Sequence, residues 1–313
     1  RDVERSRGLG DVYKRQDLTA MGGAQYVHTF DKCFFMPSDL TAGLEYNRDR
    51  LKDNMWGYNR HTDQTVNIYS AFLQNEWKND RWGILIGGRL DKHNMVDNVI
   101  FSPRANLRFN PTQNINLRLS YSSGFRAPQA FDEDMHIENV GGTVAMIERA
   151  KDLKEEKSQS FSASADMYHR FGAFQTNLLI EGFYTRLTDV FVLGKPYDRG
   201  DGILVKTRSN GPGAKVMGLT LEGKVAYLSI LQIQAGLTLQ RSRYDEPHKW
   251  HDDAPAEKKI FRTPDTYGYF TATCTPIKPL SIALSGTYTG RMLVQRMDTV
   301  SYTHLTLPTN SRV

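Results

Sequence analysis

Hydrophobic and polar residues alternate with a period of two over much of this chain. Between Phe101 and Asn110 the odd positions are Phe101, Pro103, Ala105, Leu107 and Phe109, and the even ones are Ser102, Arg104, Asn106, Arg108 and Asn110. The next segment repeats the pattern, with Ile115, Leu117, Leu119 and Tyr121 against Asn114, Asn116, Arg118 and Ser120. Successive side chains of a strand point to opposite faces, so each segment predicts a strand with one apolar and one wetted face. Residues 82–90, 161–171, 174–186, 216–227, 230–244 and 280–288 read the same way. Roughly a dozen strands are expected, each long enough for the ~9–11 residues of a tilted membrane span. Tight turns fall at Asn79-Asp80, Asn110-Pro111-Thr112-Gln113, around Gly172, around Ser229 and at Pro276-Ile277-Lys278-Pro279, while the joins between these five hairpins are mostly longer and polar. Short connections at one end and long ones at the other are how a transmembrane antiparallel β-barrel is strung.

A soluble β-sandwich also alternates. Three features favour the barrel. Aromatics (Trp77, Trp82, Phe109, Phe171, Phe174, Tyr227) cluster at strand ends near the tight turns, where an interfacial belt lies. The strands are long. The polar faces carry rows such as Arg104, Asn106, Arg108 and Gln232, Gln234, Gln240, which a lumen hydrates and a dry core would not. Hydrophobic residues make up 39% of the chain and no apolar run nears the ~20 residues of a spanning helix, which excludes a helical membrane protein. The two cysteines, Cys33 and Cys274, suggest neither a disulfide framework nor a metal cluster. The formal charge of +5 is scattered among acids rather than clustered, so no nucleic-acid partner is expected. No catalytic triad, phosphate loop or zinc signature occurs in a confirming context, so neither an enzyme nor a cofactor is expected.

Residues 1–16, RDVERSRGLGDVYKRQ, and 300–313, VSYTHLTLPTNSRV, read as non-native segments resembling translated adapter or assembly sequence, leaving 17–299 as the barrel portion.

The segment SPRANLRFNPTQNINLRLSYSSGFRAPQAFDEDMH, from Ser102 to His136, resembles the barrel of TonB-dependent outer-membrane receptors. The series continues through LKEEKS (Leu153 to Ser158, where the family has LKPEKS), IEGFYTRLTDVFVL (Ile180 to Leu193), VMGLTLEG (Val216 to Gly223), QAGLTLQRS (from Gln234), RTPDTYGYF (Arg262 to Phe270) and SGTYTGRM (Ser285 to Met292). The resemblance implies an all-β fold, part of a plugged antiparallel barrel of about 22 strands. It also implies a Gram-negative outer-membrane location, a monomeric barrel among outer-membrane lipids, and uptake energised by TonB through a plug that is absent from this chain. The nutrient would be a ferric siderophore, cobalamin, haem or an oligosaccharide. A passive porin or a soluble all-β binding module are the alternatives.

Candidate binding residues lie in the longest connection: Arg126, Asp132, Glu133, Asp134, His136 and Glu138. Carboxylates so close together can take Ca²⁺ and His136 can reach a chelated metal; a solvated loop is the plainer reading. In haem receptors of the family a His stands between an FRAP box and an NPNL box. Phe125 to Pro128 and His136 match the first two, whereas Ala150-Lys151-Asp152-Leu153 departs from the third. His248, His251 and Asp252 form a second possible metal set in another long loop. Arg104, Arg108, Arg118, Glu222 and Lys224 are expected to line the lumen or hold the plug. The segment Gly194 to Gly213 reads as a mobile extracellular loop.

Overall fold

The computed structural model describes residues 13–56, 60–129, 138–140, 143–200, 203–249 and 255–294. The main body is one antiparallel meander. It runs through β1 (Tyr13–Cys33), β2 (Met36–Met55), β3 (Arg60–Lys78), β4 (Trp82–His93), β5 (Ile100–Thr112) and β6 (Ile115–Arg126). After two short strands, β7 (Glu138–Val140) and β8 (Thr143–Arg149), it resumes with β9 (Glu156–Phe171) and β10 (Phe174–Thr188). Three more loop strands follow: β11 (Phe191–Leu193), β12 (Tyr197–Asp198) and β13 (Ile203–Asn210). The meander ends with β14 (Ala214–Tyr227), β15 (Leu231–His248), β17 (Thr266–Ile277) and β18 (Leu280–Thr289), with β16 (Glu257–Lys259) paired alongside β15.

All five expected tight turns are present, the second shifted to Gln113-Asn114. Asn79 shows how one is set: its side-chain oxygen accepts the N–H groups of Arg81 (2.9 Å) and Trp82 (2.7 Å). A sixth turn, at Phe34-Phe35, has no turn-forming residue at its tip. Phe34 adopts φ +62°, and the turn is held from outside by Trp77, which stacks on Phe35 at 5.7 Å and donates its indole N–H to the Cys33 carbonyl at 3.0 Å. β1 to β3 are 19–21 residues long, about twice the ~9–11 residues of a tilted membrane span.

Register fixes the two faces. Trp82, Phe109, Leu117, Ala165, Ile180, Leu221 and Leu237 stand opposed in one unbroken row from β4 to β15. One position along, Arg108, Arg118, Ser164, Glu181, Thr220 and Thr238 form the matching row of the other face. A slip of one residue would exchange the faces, so every pairing reinforces the same choice. On the apolar face Ile86, Leu119 and Leu284 are 55–61% exposed, a surface that suits hydrocarbon rather than water. Aromatic pairs mark both edges of this band: Trp82 on Phe109 (4.2 Å) and Phe174 on Tyr227 (4.7 Å) near the tight turns, Tyr46 on Tyr69 (4.9 Å) and Tyr121 on Phe161 (4.7 Å) toward the loops.

Part of the segment 194–213, expected as irregular loop, is paired strand. β11, β12 and β13 pair together, and β13 lies parallel to β8, placing Val205 beside Met146. Periodicity along one segment cannot reveal a partner that comes from another loop. This loop sheet has its own buried residues, Met146 at 1% and Val205 at 0% exposure.

Candidate functional site

Three groups of side chains occupy the polar face. The first, toward the tight turns, centres on Glu222. Tyr269 is paired with Gly236, and its ring lies where a Cβ on that glycine would come within 2.5 Å. This close approach sends the Tyr269 hydroxyl to donate to Glu222 Oε2 at 2.6 Å. Gln234 Nε2 donates to Tyr269 Oη (2.6 Å) and to Glu222 Oε1 (3.1 Å), and Lys224 Nζ stands 2.9 Å from the same oxygen. On the neighbouring strands Tyr168 donates to Asp166 Oδ2 at 2.8 Å, and Asn177 donates to Asp166 Oδ1. Every carboxylate oxygen is engaged, so these groups are fixed in place without burial.

The second group is cationic. Arg108 and Arg118 are directly opposed across β5 and β6, with Arg104 further along β5 toward the loops. Arg108 Nη2 donates to the Asn79 carbonyl (3.2 Å) and Arg118 Nε to Asn116 Oδ1 (2.7 Å). Among the described residues none of the three has a carboxylate within ion-pair reach. Like charges placed opposite one another disfavour the pairing by themselves, so this row is receptive to an anion.

The third group lies at the loop end. Arg89 bridges Glu45 (2.6 Å) and Asp91 (2.8 Å), and Ser70 donates to Asp91 at 2.6 Å. His93 Nδ1 accepts the Met95 N–H at 3.0 Å, which leaves Nε2 to donate to Gln129 Oε1 at 3.4 Å. Asp91, His93 and the polar-face residues Leu51, Asp53, Gln64 and Val66 are all buried. Arg149 of β8 ties the loop sheet to this region by donating to Gln64 Oε1 (2.8 Å) and to the Pro128 carbonyl (2.9 Å). The loops therefore cover the polar face at this end.

Of the sequence candidates, Arg104, Arg108, Arg118, Glu222 and Lys224 share the polar face, in two separate groups. Arg126 ends β6 with its guanidinium 5.6 Å from the centre of the Phe191 ring. Glu138 opens β7, opposite Ala145. Asp132, Glu133, Asp134 and His136 lie outside the described residues, as do His251 and Asp252. His248 ends β15 with its ring 6.0 Å from Tyr244. Among the described residues no three His, Cys, Asp or Glu groups are placed to hold a metal. Sequence reasoning missed Tyr269, Tyr168, Asp166, Arg89 and Glu45. The two tyrosines count as apolar in a two-letter pattern, and the others join networks only through register.

Residues 4–303 match the family described as TonB dependent receptor-like, beta-barrel. No curated protein sequence matches the chain. Solved structures of similar fold include the siderophore receptor PirA of Pseudomonas aeruginosa, 17% identical with a TM-score of 0.66 over 88% of this chain and 49% of that one. PirA of Acinetobacter baumannii is 16% identical, TM-score 0.64, over 90% and 43%. The FrpB iron transporter of Neisseria meningitidis is 15% identical, TM-score 0.59, over 87% and 43%. The chain thus spans somewhat under half the length of these proteins.

Proposed function

From the premise that this chain belongs to the TonB-dependent receptor-like β-barrel family, we propose that it is wall from an outer-membrane receptor that takes up a scarce anionic nutrient, energised through TonB. The observation that carries the reading is the two-faced meander: an apolar band edged by aromatics on one side, and fixed polar networks on the other. A passive porin shares that wall, and the family membership favours the gated receptor over it. The iron receptors of similar fold and the uncompensated Arg104, Arg108 and Arg118 together favour a ferric chelate of net negative charge over neutral sugars.

Binding of a ferric catecholate, a neutral ferric hydroxamate and cobalamin to the full-length receptor tests this. The catecholate should bind most tightly, and Arg108→Gln with Arg118→Gln should weaken it selectively. Equal affinity for all three, or no effect of the arginines, would refute the anionic ligand. Asp132, Glu133, Asp134 and His136 remain proposed contacts at the loop end. Replacing all four should weaken binding and leave barrel assembly intact.

A further inference from the structure

Just beyond the loop-side edge of the apolar band, the lipid-facing side of the meander changes character. Arg186, Lys215, Arg243 and Lys259 occupy directly opposed positions on β10, β14, β15 and β16. Arg241 sits one step closer to the band, opposite Met217 and beside Leu239. These cations follow the last apolar side chains of their strands, Tyr184, Met217 and Leu239, on the same face. At the tight-turn edge of the same strands the corresponding positions hold Phe174, Tyr227 and Leu231, with no cation.

Two carboxylates reach this row. Asp245 lies 3.0 Å from Lys215 Nζ and 3.8 Å from Arg186 Nη2, while its backbone carbonyl accepts from Lys258 Nζ at 2.9 Å. Asp265 takes Lys259 Nζ at 2.6 Å. Arg241 and Arg243 are exposed and have no carboxylate partner among the described residues. Among the described residues the five cations of this row therefore meet two acids. Directly opposed like charges cost stability, so the arrangement calls for anions from outside the chain.

We propose that Arg186, Lys215, Arg241 and Arg243 form a site for the phosphate groups of a lipid in the leaflet on the loop side. The inference rests on the membrane reading given above. The apolar band takes the acyl chains, and the cations meet the headgroup at the depth where its phosphates lie. Arg241 and Arg243 stand two residues apart on one face of β15, so both guanidinium forks can serve one headgroup.

The test uses the full-length receptor in nanodiscs of phosphatidylcholine, titrated with bis-phosphorylated lipid A and with its fully dephosphorylated form. The phosphorylated lipid should bind and the dephosphorylated one should not. Arg241→Gln with Arg243→Gln should weaken binding roughly thirtyfold, at about fivefold for each cation near an anionic leaflet. Arg241→Lys with Arg243→Lys should keep most of it, and this variant shows that any loss is not a folding defect. Arg81→Gln with Lys278→Gln, removing two cations at the tight-turn end, should leave it unchanged. Binding indifferent to the Gln pair, or displaced equally well by inorganic phosphate, overturns the inference. Protein recovered in the soluble fraction would instead overturn the outer-membrane reading beneath it.

Discussion

The hydroxyl of Tyr269 reaches Glu222 because residue 236 has no side chain. A methyl group there would stand 2.5 Å from the tyrosine ring, far inside van der Waals contact, and the ring would have to swing away. Tyr269→Phe should cost about 1.5 kcal/mol, the lower end for a hydrogen bond to a charged acceptor because the pair is partly exposed. Gly236→Ala should cost more, since it loses the same bond and strains the strand pair. Because both changes remove one interaction, the double variant should be little worse than Gly236→Ala alone in urea titrations of the assembled barrel. Full additivity would show that the glycine does not position the tyrosine. The sequence marks Glu222, Lys224 and Gln234 as polar-face positions by alternation alone. It does not reveal that they converge with Tyr269, because that depends on which residue of β15 faces which of β14 and of β17.

At the level of strands and turns, the faces were legible and one hairpin was not. The alternation in β5 and β6 states plainly which side is apolar, and the observed register agrees residue by residue. A charge on the lipid side should therefore be costly: Leu119→Arg by about 2–4 kcal/mol if it lies near the bilayer midplane, and Ser120→Arg by little. Equal penalties in refolding titrations into lipid would indicate a dry core on both sides. The β1–β2 turn escapes reading because Cys33-Phe34-Phe35-Met36 contains none of the residues that favour φ > 0. Its geometry is imposed by Trp77, 42 positions beyond Phe35. Phe34→Gly should relieve the left-handed backbone and stabilise the hairpin by about 0.5–1 kcal/mol. Phe35→Ala, which removes the stack on Trp77, should destabilise it.

At the scale of the whole molecule, six tight turns among the described residues stand at one end of the meander and the long connections at the other. Cysteines at Asp80 and Lys278 should resist a membrane-impermeant reagent on intact cells, whereas those at Asp97 and Tyr197 should label. The reverse pattern would invert the topology. Among the described residues β1 and β18 each leave one edge unpaired, so the 313-residue chain by itself should associate edge to edge in detergent, seen as a shift in light scattering. The strand count was readable from turns and periods, but the joining of two loops into one sheet was not, since no local pattern announces a partner in another loop. That joining also bears on the order of assembly. Nearly every meander strand pairs with its nearest predecessor in the meander, so contacts are mostly of low sequence separation and the wall can grow by adding one hairpin to an existing edge. Val144 and Ile203, by contrast, meet across 59 positions, with two finished wall strands between them. Closing the β8–β13 pair therefore costs least once β9 and β10 hold the two loops side by side, and none of its ladder hydrogen bonds belongs to the wall.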